Sequence, residues 1–302
     1  MAKPDKEEPD MSELVCTALT KRYQNKEALS SVDLKLESGK IYGLIGRNGA
    51  GKTTLLSLMT AQNPATSGTV TLDGEPVWEN QTALNRLCFS RELNVSAGSG
   101  AAGIKIRDYL RAASVYYPNW DGAMADRLVK AFAIDTKKNM AKVNKGMLSA
   151  VTITVAMASK AEFTFLDEPV AGLDVIARDF FYKTLLQEYH DTGRTFVIST
   201  HIIEEAAGVF EEVIMLKHGK ILCKENTEAL LERAVAVSGL SDTVDEATAG
   251  LECHAPEVIG RKKSVTVLLR EDETVPEDCD VTVLPVTLQQ LFIALCGEEG
   301  MA

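Results

Sequence analysis

Short apolar runs, separated by glycine, serine and aspartate, occupy the chain from Met11 to about Asp73. The runs are short, rich in residues that favour strands, and punctuated by glycine and serine. This pattern is typical of strands. The predicted strands are LVCTALTKRY, ALSSVDLKLES, KIYGLIG and GTVTLDG.

The third predicted strand ends in a glycine loop, and the following segment KTTLLSLMTAQ has the spacing of a helix. Between about residues 94 and 158 the pattern changes. The segment AGSGAAG predicts a flexible joint, and IRDYLRAASVYY and ADRLVKAFAI have helical spacing. We therefore expect a helical subdomain here.

The remaining pattern mixes strands and helices. EFTFLDEP and TFVIST predict buried strands on either side of the helix IARDFFYKTLLQEYHDTG. EEVIMLKHGKILCKE predicts a hairpin that turns at His218–Gly219. Beyond about Val237, SVTVLL and VTVLP predict strands and TLQQLFIALC a closing helix. The chain thus divides into a flexible N-terminus (1–10), an α/β domain (11–236) and a C-terminal α+β segment (237–302).

Composition narrows the class of protein. The chain has 302 residues, 45% hydrophobic and 25% charged, as is usual for a globular protein. Its net charge of −11 argues against nucleic acid as a partner, because nucleic-acid binders usually carry a basic surface. No apolar run is long enough to span a bilayer, and the charged start MAKPDKEEPD lacks the apolar core of a signal peptide. We expect neither a secreted nor a membrane-spanning product.

The segment GRNGAGKTT, Gly46 to Thr54, fits the pattern G-x-x-x-x-G-K-[ST] between a strand and a helix. Glycines let the backbone turn its N–H groups towards phosphate oxygens. A lysine supplies positive charge at the β- and γ-phosphates, and a threonine hydroxyl can bind Mg²⁺. The predicted nucleotide-binding residues are Gly46, Asn48, Gly49, Ala50, Gly51, Lys52, Thr53 and Thr54.

Two acidic residues follow a later strand. Asp167 ends the apolar run FTFLD and is predicted, with Thr53, to hold Mg²⁺. Glu168 comes next and can act as general base on the attacking water. His201 follows the strand TFVIST, where an imidazole can contact the γ-phosphate and position Glu168. We predict Lys52, Glu168 and His201 as catalytic residues; the alternative is an acidic pair that only supports the metal.

Four elements, GRNGAGKTT, FLDEP, AGLD and STH, recur in this order in the ATP-binding subunits of ABC transporters. The chain resembles that family from about Met11 to Asn226. The resemblance implies an ABC-type P-loop NTPase fold with an antiparallel β subdomain and a helical subdomain. It also implies ATP and Mg²⁺, a second ATPase subunit that completes the site, and a separate transmembrane permease at the cytoplasmic face of the plasma membrane.

The family's pattern also assigns residues outside these elements. Tyr23 matches the aromatic residue that stacks on adenine, and Asp174 of AGLD matches a residue at the interface between two ATPase subunits. Glu92 occupies the position of a glutamine that senses Mg²⁺, where a carboxylate could bind nucleotide-associated metal. The alternatives are core packing for Tyr23 and a solvated loop acid for Glu92.

The family's signature motif, leucine-serine-glycine-glycine-glutamine, starts about 24 residues before the strand-end aspartate. That spacing selects Val143 to Met147. In this register Asn144 replaces the serine, Lys145 the first glycine and Met147 the glutamine, whereas Gly146 keeps the second glycine. An asparagine amide can donate to a phosphate oxygen as a serine hydroxyl does. The nearby Leu148–Ser149 is expected in the following helix.

We therefore predict an ATPase that powers an ABC exporter through a separate membrane subunit. The KGM letters and the ending PVTLQQLFIALCG resemble exporter members of the family, and the transported substrate would be an amphipathic or antimicrobial peptide, a lipid or a drug. One alternative is a soluble ABC ATPase acting on ribosomes or DNA. Another is a regulatory module that binds ATP without turnover.

Overall fold

The computed structural model describes residues 11–93, 95, 103–270, 272–276 and 279–297. Within these residues, no helix is both long and apolar enough to cross a membrane.

The strands are β1 (Glu13–Tyr23), β2 (Lys26–Glu37), β3 (Ile41–Ile45), β4 (Ser67–Leu72), β5 (Glu75–Pro76), β6 (Leu87–Ser90), β7 (Phe163–Asp167), β8 (Thr195–Thr200), β9 (Glu212–Lys217), β10 (Lys220–Asn226), β11 (Ala234–Leu240), β12 (Glu252–Ile259), β13 (Lys262–Leu268) and β14 (Val281–Pro285). The α-helices are α1 (Lys52–Met59), α2 (Gln81–Leu84), α3 (Ile106–Tyr116), α4 (Gly122–Ala131), α5 (Lys145–Ala158), α6 (Val175–Thr192), α7 (Ile203–Ala206), α8 (Thr227–Glu232), α9 (Ser241–Ala247) and α10 (Leu288–Cys296).

The central sheet has the strand order β10-β9-β3-β8-β7-β6. Neighbours from β9 to β6 are parallel, whereas β10 pairs antiparallel with β9. Strands β3, β7 and β8 are buried along their whole length, as expected for a parallel sheet covered on both faces. Because parallel strands point the same way, the loops after β3, β6, β7 and β8 meet at one edge of the sheet.

Two hydrophobic cores cover the two faces of the central sheet. Along β8, Phe196 and Ile198 belong to one core and Val197 to the other, as the alternation of side chains in a strand requires. The first core also holds Phe181 of α6 and the buried face of α5. The second holds Leu55 of α1 and the inner face of the antiparallel sheet β2-β1-β4-β5. The predicted antiparallel β and helical subdomains therefore lie on opposite faces.

The helical subdomain differs in detail from the sequence prediction. Helix α4 begins before the predicted segment ADRLVKAFAI, because the side chain of Asp121 accepts a hydrogen bond from the N–H of Met124 and caps the N-terminus of the helix. The helix ends at Ala131. The predicted joint AGSGAAG falls outside the described residues except for its last glycine.

The hairpin prediction is confirmed at its turn. His218 and Gly219 connect β9 to β10 with φ angles of 50° and 74°. Two consecutive positive φ angles are the requirement of a tight two-residue hairpin turn, whose twist matches that of the flanking strands.

The C-terminal segment forms an antiparallel sheet of order β12-β13-β11-β14, with α9 packed on it around Val237, Val244 and Val265. Strand β11 runs across the predicted boundary between residues 236 and 237, so this segment begins with the strand rather than within it. The predicted strands and closing helix are present. Helix α10 returns to the main domain, where Leu288 and Leu291 join the first core.

Candidate functional site

The loops that carry the predicted catalytic residues are neighbours at the carboxyl edge of the central sheet. Strand β3 leads into the phosphate loop, β7 ends at Asp167 just before Glu168, and β8 leads into His201. Since β8 lies between β3 and β7, these three loops stand side by side. The loop after β6, which carries Glu92, follows next along the edge.

The phosphate loop owes its shape to two glycines. Gly49 and Gly51 have φ angles of 82° and 113°, a region that side chains with a Cβ rarely adopt. A Cβ added to Gly49 would meet no atom within 4 Å, so the backbone here is open to a ligand. Helix α1 starts directly after Gly51 and directs its unpaired N–H groups to the same place. The loop is therefore shaped to receive an anion.

Lys52 is almost fully buried at the base of this loop, with 7% of its side chain exposed. Its Nζ donates to the carbonyl of Gly46 at 2.7 Å and lies 3.8 Å from Oε1 of Glu168. Burial lowers the pKa of the Lys52 ammonium, and the charges of Glu168 and Asp167 oppose that shift. The lysine thus stands between the loop and the acidic pair.

Thr53 and Asp167, the predicted magnesium ligands, are in direct contact. Oγ1 of Thr53 donates to Oδ2 of Asp167 at 2.7 Å. The other carboxylate oxygen, Oδ1, accepts a hydrogen bond of 2.5 Å from the hydroxyl of Ser199 on β8. The two hydrogen bonds fix the plane of the carboxylate. A hydroxyl and a carboxylate oxygen are thereby held side by side.

Glu168 has a φ of 49°, the left-handed region that a non-glycine residue seldom occupies. Its N–H donates to the carbonyl and the hydroxyl of Ser199, which hold the backbone in this conformation. Its Oε2 lies 2.7 Å from Nδ1 of His201. Backbone strain of this kind, sustained by hydrogen bonds, is commonly found at functional sites. It directs the carboxylate towards His201 and Lys52.

Tyr23 lines a cavity of about 310 Å³ together with the phosphate loop. Its side chain is exposed, which excludes core packing as its explanation. Nζ of Lys21 lies 4.9 Å from the centre of the ring and covers one face. The predicted residues that line this cavity are Tyr23, Asn48, Gly49, Gly51, Lys52, Thr53, Thr54 and Glu168.

Two predicted nucleotide-binding residues lie beneath the loop instead. A Cβ added to Gly46 would come within 2.6 Å of the carbonyl oxygen of Leu216 on β9. Ala50 is buried, and its carbonyl accepts a hydrogen bond from the N–H of Gly219. Both residues fix the loop onto the β9–β10 hairpin, so any contact with nucleotide would come from their backbone.

Glu92 lines a second cavity, of about 600 Å³, with Thr53, Asp167 and Glu168. The carboxylate oxygen Oε2 of Glu92 lies 3.0 Å from Nζ of Lys145. The structure therefore brings Glu92 to the cavity that holds the predicted metal ligands and pairs it with a residue of the signature segment.

The signature segment opens helix α5. Asn144 is the N-cap, and its Oδ1 accepts a hydrogen bond of 2.8 Å from the N–H of Met147. A Cβ added to Gly146 would lie 2.3 Å from the carbonyl oxygen of Gly172, so only glycine allows this close approach. The glycine is required by contact with the AGLD turn of the same chain, a reason that the sequence did not reveal.

Leu148 and Ser149 lie inside α5, as predicted. The hydroxyl of Ser149 donates to the carbonyl of Ala171 at 2.7 Å and ties the helix to the AGLD turn. Asp174 ends that turn and caps α6 by accepting from the N–H of Ala177. Asn144, Gly146, Gly172, Asp174 and Ile176 are among the residues that line a shared cavity of about 460 Å³. The signature segment and Asp174 thus form one surface.

Two residues of the site were missed by sequence reasoning. Ser199 contacts both Asp167 and Glu168, and it does so because β7 and β8 pair with Asp167 opposite Ser199. Its position in the STH element was the available signal, but strand register is not readable from a single sequence. Lys145 was regarded only as a replaced glycine, and nothing in the sequence identified Glu92 as its partner.

Comparison with known proteins identifies relatives of the chain. Residues 29–171 match the family model described as "ABC transporter". The chain is 32% identical over 209 residues to the manganese transport system ATP-binding protein MntB of Listeria innocua, covering 66% of this chain and 84% of that protein. It is 25% identical over 286 residues to the ABC transporter ATP-binding protein YtrB of Bacillus subtilis, covering 92% of this chain and 96% of the relative.

The fold is likewise similar to a solved structure. A dimeric ATP-binding cassette in a post-hydrolysis state, bound to ADP and Pi, superimposes with a TM-score of 0.62 at 20% identity. The match covers 71% of this chain and 98% of the cassette.

Proposed function

The chain belongs to the family of ABC transporter ATP-binding proteins and is a P-loop ATPase, and from this premise we propose that it powers export through a separate membrane subunit. The observation that supports ATP hydrolysis as the source of this power is the cluster of Lys52, Thr53, Asp167, Glu168 and His201 at one edge of the sheet. These groups are arranged for phosphoryl chemistry.

Glu168 is the proposed general base. One of its carboxylate oxygens contacts His201 and the other faces Lys52, so the carboxylate is oriented on both sides. A water between Glu168 and a γ-phosphate bound at the loop would give its proton to this carboxylate as it attacks phosphorus. Lys52 and the α1 N-terminus would stabilise the negative charge that develops on the phosphate oxygens. His201 would keep Glu168 in position.

Thr53 and Asp167 fit the requirements of Mg²⁺. Their oxygens are hard ligands held 2.7 Å apart, and Mg²⁺ in nucleotide sites typically takes one or two protein oxygens with phosphates and waters as the other ligands. The ion supplies charge neutralisation of the β- and γ-phosphates. The two residues provide the point to which the nucleotide complex is fixed.

Asn144 is proposed to act on the ATP of a second subunit. Its Oδ1 is occupied by the helix cap, but its amide nitrogen retains two hydrogen-bond donors. These donors, with the N–H groups at the start of α5, are suited to a phosphate presented by another subunit. Asp174 lies on the same surface. The completed site would therefore combine the phosphate loop of one subunit with the signature segment of the other.

The helical subdomain offers a place for the membrane subunit. A cavity of about 390 Å³ lies between the end of β6 and helix α3, and its walls include Phe89, Leu93, Tyr109, Ala113 and Tyr116. A groove with aromatic and aliphatic walls is suited to a short amphipathic helix. We propose that it receives the coupling helix of a transmembrane permease, which would hold this chain at the cytoplasmic face of the membrane.

Export rather than import is supported by the KGM letters of the signature segment and by the C-terminal ending, both of which resemble exporter ATPases. The transported substrate is proposed to be an amphipathic peptide, a lipid or a drug.

Glu168→Gln tests whether the chain hydrolyses ATP by this mechanism. Because glutamine cannot accept the proton of water, we expect kcat to fall at least about 100-fold. Nucleotide binding should be retained, since Lys52 and the loop are unchanged. Steady-state phosphate release and calorimetric titration with ATP measure the two properties.

Glu162→Gln is the matched control, because it removes the same charge immediately before β7 and away from the cluster. It should leave kcat within about twofold. Undiminished turnover in Glu168→Gln would contradict the role of the carboxylate. ATP binding without turnover in both the wild-type chain and Glu168→Gln would favour the regulatory module.

A further inference from the structure

Two of the positions at which the chain departs from the family's pattern are in contact with each other. Glu92 replaces the glutamine of the loop after β6, and Lys145 replaces the first glycine of the signature motif. Their charged groups are 3.0 Å apart, and each side chain is 52% exposed. Two departures of opposite charge that meet in space indicate a specific pair rather than two independent losses.

Lys145 also contacts the AGLD turn. A Cβ added to Gly172 would lie 3.0 Å from Cγ and 3.2 Å from Cβ of Lys145, so the absence of a side chain at Gly172 makes room for the lysine stem. Gly172 has a φ of 82°, which also favours glycine. The stem of Lys145 is thereby held between the turn that carries Asp174 and the loop that carries Glu92.

Glu92 faces the cavity that contains Thr53 and Asp167. A carboxylate in that cavity has two competing attractions. Lys145 offers an ammonium 3.0 Å from the Glu92 carboxylate, and Mg²⁺ held at the Thr53–Asp167 pair would offer a divalent charge inside the cavity. The carboxylate cannot satisfy both attractions fully from one position.

We propose that Lys145 is a positioning residue for Glu92, which holds the carboxylate on the side of the signature helix and competes with Mg²⁺ for it. Glu92 would leave Lys145 when Thr53 and Asp167 hold Mg²⁺ with nucleotide, and the start of α5 would then be released from the loop after β6. The inference rests on the proposed function, since it requires that Thr53 and Asp167 hold Mg²⁺.

The test is the Mg²⁺ concentration that half-saturates ADP binding, measured by calorimetry on the full chain. Lys145→Met removes the ammonium and keeps the length of the side chain. Because an exposed ion pair contributes only a modest interaction energy, we expect the half-saturating Mg²⁺ concentration of Lys145→Met to be about two- to fivefold lower than that of the wild type. Lys145→Arg preserves the charge and should keep the wild-type value. In the Glu92→Gln background, Lys145→Met should have no effect.

Lys142→Met is the matched control, because it removes an exposed lysine just before the signature segment. The inference would be overturned if Lys142→Met and Lys145→Met required the same Mg²⁺ concentration for half-saturation of ADP binding. It would also be overturned if Lys145→Met changed this concentration in the Glu92→Gln background. An increase in the half-saturating Mg²⁺ concentration of Lys145→Met above the wild-type value would overturn the inference as well. Failure of the proposed function would give a different result from failure of this inference, because the wild-type chain would then bind no ADP at any Mg²⁺ concentration.

Discussion

At the scale of single residues, Asn144 is the predicted replacement for the signature serine, and its side chain can keep two properties of a serine. A serine at a helix N-cap accepts from the backbone through its oxygen and donates through its hydroxyl hydrogen. Asparagine divides these properties between two atoms, with Oδ1 accepting from Met147 and the amide nitrogen left to donate. The predicted replacement is therefore compatible with a working site.

Asn144→Ala and Asn144→Ser separate the two roles. Alanine loses both the cap and the donor, so we expect a loss of about 1 kcal/mol in the free energy of unfolding and a decrease in kcat of about tenfold or more. Serine restores both and should recover stability and turnover to within about threefold of wild type. Urea denaturation measures the free energy of unfolding, and phosphate release measures kcat.

Asn226→Ala is the control for Asn144→Ala, because Asn226 caps α8 in the same way through the N–H of Ala229. Its loss of stability should be similar, and its turnover should be unchanged. A decrease in turnover shared by both alanine variants would assign the effect of Asn144 to capping alone.

At the scale of elements, α5 is fixed at both ends. Its start carries the signature segment, and its end is held by Arg194, which is 6% exposed. The guanidinium donates to the carbonyls of Ala156 and Met157 and pairs with Glu188 at 3.0 Å. Burial lowers the pKa of Arg194, and Glu188 opposes that shift. A cation at the last carbonyls of a helix is also favoured by the helix dipole.

Arg194→Met should therefore destabilise the domain by about 3 kcal/mol, because buried carbonyls lose their donor and Glu188 keeps only Lys160 as an ion-pair partner among the residues that the structure describes. Denaturation followed by far-UV circular dichroism measures this loss. Arg107→Met removes an exposed arginine from α3 and should change stability by less than about 0.5 kcal/mol. A loss below about 1 kcal/mol in Arg194→Met would show that packing, not the buried network, holds the end of α5.

At the scale of the whole molecule, the two halves of the proposed site are on different surfaces of one chain. Lys52 and Thr53 line the cavity at the phosphate loop, whereas Asn144 and Asp174 line a separate one. Beside Asp174, Val175 and Ile176 are 74% and 82% exposed. Exposed apolar side chains next to an incomplete site are typical of a surface that another subunit covers.

Light scattering of Glu168→Gln with Mg²⁺ and ATP tests this arrangement. Since hydrolysis is blocked, we expect the ATP-bound chain to accumulate as a dimer that dissociates when ATP is replaced by ADP. Glu168→Gln without nucleotide is the control and should remain monomeric. A persistent monomer that binds ATP would contradict a self-sufficient homodimer and indicate that a different ATPase or the membrane subunit is required.

The sequence by itself determined the class of the molecule. The predicted ABC-type fold, which the resemblance of four ordered elements implied, and the predicted ATPase activity are confirmed. These elements are local patterns: a glycine loop before a helix and polar residues where apolar strands end. The hairpin turn at His218–Gly219 is confirmed for the same reason, since its backbone requirement lies within two residues. Features of this kind depend on a few consecutive residues, so the sequence alone is enough to predict them.

Only the tertiary structure decided which distant residues meet. The register of β7 against β8 places Ser199 on Asp167, and the packing of α5 places Lys145 beside Glu92 and Gly146 beside Gly172. It also showed that β11 begins before the predicted segment boundary. These contacts depend on how elements pair and pack over long separations in the chain, and periodicity within each element does not specify that arrangement.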